Sequence, residues 1–211
     1  MAGLVVPGHM ARTCRRRPAM TGPVVGLDPS LTACGIAILR PADGFSATGS
    51  ARVTFLRSVG RSGRKGDGWE RRSARIVAQT RRIVAHVPAE ATLVVLEAMP
   101  AHMPPQPYLG DRWALWFGVH SALNGRVPIA VVNPSTRARW ATGKGTAAKA
   151  DVLAAVREQW PNERIADDNQ ADALTLASIG AHYLGWPLPF ETKPRHTTGL
   201  QAVEWPEGVG A

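Results

Sequence analysis

Four carboxylates in this sequence stand where carboxylates are costly. Asp28 follows Val24-Val25-Gly26-Leu27, and Glu97 follows Leu93-Val94-Val95-Leu96. A charged side chain directly after an apolar run lies at the edge of a buried sheet, where it needs a cation. Asp168 and Asp172 are one helical turn apart and share a helix face. Asp172, set among Ala171, Ala173 and Leu174, is poorly placed for plain solvation. Singly, each has an ordinary explanation. Asp28 before Pro29-Ser30 could be a turn residue, Asp168 beside Asp167 a helix cap, and Glu97 the partner of an arginine. Together they form an oxygen-only donor set, which suits hard divalent ions that keep positions open for water and phosphate. Two such ions about 3.5–4 Å apart clamp the attacking and leaving oxygens of an in-line phosphoryl displacement.

The charge around these carboxylates points to a polyanion. The 211 residues carry 25 basic and 16 acidic side chains, a net +9, unevenly spread. Residues 52–82 hold ten basic and two acidic side chains, and residues 126–149 hold five basic and no acidic ones. Such blocks attract nucleic acid backbone. In the first block, Arg61, Arg64 and Lys65 sit in a Gly/Ser-rich loop, and Trp69, Arg71 and Arg72 open the helix that follows. Trp69 is placed either to stack on an opened base or to pack that helix. In the second, Lys144 and Lys149 flank a glycine turn at a helix start, where N–H groups and the helix dipole favour phosphate. An ordinary C-cap glycine with two surface lysines is the simpler reading of the same segment. Trp113, Trp116 and Phe117 lie at helical offsets suited to a core or a subunit contact.

The elements that must position these residues follow from hydrophobic periodicity. Short apolar runs near 24–27, 35–39 and 52–56, joined by tight turns, predict an antiparallel meander. Helical spacing predicts helices over 69–86, 111–123, 147–159 and 168–184, with buried strands at 92–96 and 128–132. The order gives an α/β domain whose mixed sheet starts with three antiparallel strands and adds parallel ones, flanked by helices. In that order the first and fourth strands can be neighbours, so Asp28 and Glu97 could face one crevice. Residues 1–22 show no period and predict a disordered basic extension. The domain spans 23–185, and the proline-containing residues 186–211 read as a tail. The length supports a core without staples, and Cys14 and Cys34 fit no zinc or disulfide framework. No stretch is apolar enough for a membrane span or signal peptide, so a soluble, cytoplasmic protein is expected.

The residues from Val24 through Asp28-Pro29-Ser30 to Gly35 resemble the first strand of RuvC-like Holliday junction resolvases, as does Leu96-Glu97 after its apolar run. Asn133-Pro134-Ser135 and the segment Ala141-Thr142-Gly143-Lys144-Gly145-Thr146-Ala147-Ala148-Lys149 resemble the family's proline-containing segment and glycine/lysine-rich turn. Asp167-Asp168-Asn169-Gln170-Ala171-Asp172 resembles its C-terminal acidic motif, and the pattern is most similar to that of bacteriophage resolvases.

The resemblance implies an RNase H-like fold and a homodimer, in a bacterial cell or a phage-infected host. It implies paired cuts in four-way branched DNA that depend on two Mg²⁺ ions per site, with Mn²⁺ as a substitute. By it Asp28, Glu97 and Asp172 are metal ligands with Asp168 as the fourth, and Lys149 approaches the scissile phosphate. The better-known bacterial members space their last two acidic positions three apart, which here places Asn169, so Asn169 competes with Asp168 for the fourth role. An RNase H-type nuclease acting on hybrids or other branched DNA fits the same residues. The opening hairpin also fits an actin-like or sugar-kinase ATP-binding fold, although the chain is short for two lobes. A non-catalytic junction binder would be hindered by negative charge in its groove.

Overall fold

Val24–Asp28 (β1) and Cys34–Arg40 (β2) are apolar and almost wholly buried, and they pair antiparallel across the turn at 29–33. Arg52–Val59 (β3) adds antiparallel to β2. The structure, a computed structural model, describes residues 22–42, 49–100 and 108–209, so the extension expected at 1–22 lies almost entirely outside the described residues. After Trp69–Ala85 (α1), Leu93–Glu97 (β4) pairs parallel with β1. After Leu109–Leu123 (α2), Ile129–Val132 (β5) pairs parallel with β4. The sheet order is β3-β2-β1-β4-β5, the mixed sheet expected from the element order.

Three helices follow: Pro134–Thr142 (α3), Lys149–Gln159 (α4) and Asp168–Tyr183 (α5). The sequence reading missed α3, because nine residues that include Ser135, Thr136 and Trp140 show no clear apolar period. Asn133 precedes it and Pro134 takes its first turn, where a missing N–H costs nothing. None of the helices among the described residues is long and apolar enough to cross a membrane.

Side chains alternate across the sheet and so divide the core in two. Val24 of β1 and Leu93 and Val95 of β4 face α3, α4 and α5, whereas Val25, Leu27, Val94 and Leu96 face α1 and α2. Every residue of α5 from Ala171 to Ala181 is buried. This helix lies unusually near the sheet. A Cβ on Gly26 would come within 2.0 Å of the Ala173 carbonyl oxygen, and one on Gly35 within 1.9 Å of that of Asn169.

Residues 186–209 are docked on the domain and not a loose tail. They form a short helix, Pro194–Gly199 (α6), and a single 3₁₀ turn, Leu200–Ala202. Trp205 stacks on Tyr183 at 3.5 Å between ring centroids, and the Tyr183 hydroxyl donates to the Val209 carbonyl. The Arg195 guanidinium donates to the carbonyls of Trp140 and Ala141 near the end of α3. Prolines at 187, 189 and 194 interrupt any apolar period in this segment, while Trp186, Leu188, Phe190 and Trp205 still bury apolar surface.

The close approach of α5 makes a prediction. Gly26→Ala drives a methyl group into backbone that has no softer place to go. The expected loss is about 3 kcal/mol, seen as a melting temperature lower by roughly 6–12 °C. A melting temperature within 2 °C of wild type would show that α5 can back away from the sheet at little cost.

Candidate active site

Register places the first two carboxylates together. Leu27 pairs with Leu96 across the parallel β1–β4 ladder, so Asp28 and Glu97 follow side by side at the carboxyl ends of neighbouring strands. By the period of two, Asp28 continues the Val24–Gly26 face and Glu97 the Leu93–Val95 face. Both therefore point toward the α5 layer. Asp172 comes from α5 itself, one turn past the helix start, and is buried. Asp28, Glu97 and Asp172 thus converge from three elements.

A residue the sequence reading did not single out lies among them. Arg137, in the first turn of α3, is buried with a side chain only 10% exposed. Its Nε donates to Glu97 Oε1 at 2.5 Å, and its Nη1 donates to Asp172 Oδ1. One guanidinium therefore bridges β4 and α5. The available signal was weak: Arg137 belongs to a basic block that reads as a surface for nucleic acid backbone, and only the burial of Ala138, Trp140 and Ala141 around it shows that this part of α3 faces inward. Trp116 was also missed as a site residue. Its indole Nε1 donates to the Glu97 carbonyl at 2.7 Å and so fixes the end of β4 from the opposite face of the sheet.

The electrostatics follow from burial. Loss of water raises the Asp28 carboxyl well above its ordinary value, and the Glu97 charge adds to this. Burial pushes Asp172 up to about 7, against the pull of Arg137. Burial alone would lower Arg137, but Glu97 and Asp172 outweigh it and raise its pKa.

Asp168 behaves differently. It is 31% exposed and accepts a hydrogen bond from Lys149 Nζ at 2.5 Å, which lowers the Asp168 pKa and raises that of Lys149. The pair stands at the rim, within electrostatic reach of Asp172. The helix cap is Asp167, whose carboxylate accepts from the Gln170 N–H and from the Ser58 hydroxyl.

The basic candidates divide by environment. Arg61, Arg64 and Lys65 are exposed in the 60–68 loop, and Arg71 is exposed on α1. A cavity of about 340 Å³ lies between this loop and α1, lined by Arg61, Arg64, Arg71, Arg75 and Arg82 with Asp67. A second, of about 480 Å³, runs from Pro29, Ser30 and Thr32, just past Asp28, to Arg64 and Lys65. The buried Gln79 amide donates to the Ser30 and Val59 carbonyls and ties this loop region to the Asp28 turn. Arg72, by contrast, is committed to Asp111 through two hydrogen bonds of 3.0 and 2.6 Å. Its guanidinium also lies over the rings of Trp69 and Tyr108. Trp69 remains 80% exposed. Lys144 is exposed after Gly143, the left-handed C-cap of α3, so this glycine has the simpler role weighed for it.

The same architecture occurs in RuvC of Thermus thermophilus. The TM-score is 0.59 at 21% identity, over 80% of this chain and 99% of that one. The chain has the RuvC fold. A second structure, T. thermophilus RuvC in complex with Holliday junction substrate, matches with a TM-score of 0.54 at 22% identity, covering 77% of this chain and 94% of that one. Neither a family model nor a curated protein matches the sequence. The RuvC-like sheet, with its antiparallel start and parallel continuation, is the mixed RNase H-like sheet expected from the motifs.

On this RuvC-like frame the donor chemistry of Asp28, Glu97 and Asp172 fits a hard divalent cation. The three are oxygen donors, mostly sheltered from water, and have already gathered one cationic side chain. As they stand, no three histidine, cysteine or carboxylate side chains among the described residues form a ready metal cage. A guanidinium bridges Glu97 and Asp172 instead.

The raised Asp172 carboxyl predicts a pH dependence. A folded-state pKa near 7, above the ordinary 3.8, means that native protein holds this proton while unfolded chain has lost it. The stabilisation is full below pH 4 and is lost as pH rises through 7. Without divalent metal, the wild-type melting temperature therefore falls between pH 5 and pH 8. Asp172→Asn gives a shallower slope and melts at least about 3 °C higher at pH 8. Parallel pH profiles of the two proteins would disprove the assignment.

Proposed function

We propose that this protein is a metal-dependent endonuclease that resolves four-way DNA junctions. One observation carries the reading: Asp28, Glu97 and Asp172 converge at the carboxyl ends of neighbouring strands, in a fold shared with a RuvC solved in complex with Holliday junction substrate.

Asp28, Glu97 and Asp172 would hold a pair of magnesium ions, with manganese as a substitute, and Asp168 or Asn169 would complete the set. Bound there, the ions would lower the pKa of an attacking water and neutralise charge on the departing 3′ oxygen. The chain's own part is positional. The β1–β4 register holds Asp28 beside Glu97, and α5 holds Asp172 against both. Lys149, kept cationic by Asp168, stands at the rim as a contact for the scissile phosphate. Arg61, Arg64, Lys65 and Arg71 line a basic path from the Asp28 turn that suits flanking backbone, with Lys144 as a further contact. Trp69, backed by Arg72, offers an exposed ring to an opened base. Such contacts read backbone shape and weaken with salt. A homodimer with two-fold symmetry would place a second site on the opposed strand, which paired cuts require.

The test is a labelled four-way junction beside a matched linear duplex and an RNA–DNA hybrid, each with Mg²⁺, Mn²⁺ or EDTA. Symmetric nicks appear in the junction alone and only with metal. Asp28→Asn binds the junction as well as wild type but cuts at least about 100-fold more slowly, because binding rests on the basic path and cutting on the carboxylates. Junction binding without cutting by wild type would leave only a binding protein, and equal cutting of the duplex or of an RNA–DNA hybrid would move the activity elsewhere in the fold class.

A further inference from the structure

The two carboxylates that Arg137 bridges are two of the three that would ligate metal. Glu97 and Asp172 have side chains only 12% and 7% exposed. In that setting a carboxylate without a cation is strongly disfavoured. Arg137 meets the need with two hydrogen bonds from one planar group. It does so from a fixed base, since its backbone N–H makes the first α3 hydrogen bond, to the Asn133 carbonyl, and Arg195 holds the other end of α3.

A divalent ion on the same oxygens would sit about 2.1 Å from them, against a guanidinium whose Nε is 2.5 Å from Glu97. The guanidinium takes only one oxygen of each carboxylate, but a dication on Glu97 and Asp172 would stand against its positive charge in a site sheltered from water, so each cation disfavours the other.

We propose that Arg137 is an internal cation that competes with divalent metal for Glu97 and Asp172. The inference rests on the nuclease reading for the identity of the ligands. In the metal-free protein Arg137 stabilises the cluster. Free protein therefore binds metal weakly.

Mn²⁺ binding to DNA-free protein, followed by calorimetry and by thermal shift, tests this for wild type, Arg137→Gln and Arg137→Lys. Arg137→Gln is expected to melt lower than wild type in EDTA, to bind Mn²⁺ at least tenfold more tightly, and to gain more melting temperature from it. Arg137→Lys keeps the charge but not the fork, and falls between the two. It also serves as the folded comparison if Arg137→Gln is unfolded without metal, and in that case tighter Mn²⁺ binding than wild type is the expected result. Equal or weaker Mn²⁺ affinity in a folded variant would overturn the competition and leave the nuclease reading standing. Absence of Mn²⁺ binding in wild type and both variants, at any concentration up to millimolar, would overturn both.

Discussion

Contact between the backbone of α5 and the backbone of β1 and β2 is the constraint on which the site depends. Helices normally rest on sheets through side chains, which keep the two layers about 10 Å apart. Here Gly26 and Gly35 remove the side chains on the sheet, Ala173 and Ala177 minimise them on the helix, and the layers close until main-chain atoms touch. A carboxylate as short as Asp172 can then reach the space above the ends of β1 and β4. The burial of α5 along eleven consecutive residues is the same fact seen from the helix, since a central helix this close to the sheet has no face left for water.

That closeness creates an electrostatic problem and fixes the form of its solution. Three carboxylates gathered away from water repel one another and lack solvent, and the rise of Asp28 and Asp172 above ordinary carboxylate values expresses both effects. Proton uptake relieves part of the charge and Arg137 relieves part of the rest. The cluster is thus maintained against its own repulsion by the surrounding fold, at a cost in local stability. The rim pair of Asp168 and Lys149 is solvated and carries little of this strain.

Much of this was legible in the sequence because it is written in short-range pattern. The apolar runs of β1 and β4 end at Asp28 and Glu97, and both the strands and their adjacency follow from that pattern and the order of elements. The four-residue offset of Asp168 and Asp172 gave their common helix face, though not that one would be buried and the other exposed, which depends on how the helix is rotated against the sheet. Arg137 was hidden for a different reason. A buried arginine has the same letter as a surface one, and only tertiary packing shows that α3 turns this residue inward. Arg72 likewise looked like a free basic contact until Asp111, thirty-nine residues later, was found to take it. The C-terminal segment was misread because its apolar residues anchor singly through stacking and carbonyl contacts, with no period to detect.

That segment has a consequence for how copies of the chain can associate. Val131 and Glu204 exchange both backbone hydrogen bonds, at 2.9 and 3.0 Å, beside the outermost parallel strand. Unpaired strand edges are templates for edge-to-edge aggregation. The β5 edge is therefore partly occupied by the chain itself, while the opposite edge, β3, presents Arg52, Thr54 and Arg57 to solvent. A sheet continued from one molecule to the next through β5 would first have to peel away the segment around Glu204, so self-association along that edge is opposed by the stacking of Trp205 on Tyr183 and the hydrogen bond from Tyr183 to Val209, which hold that segment on α5.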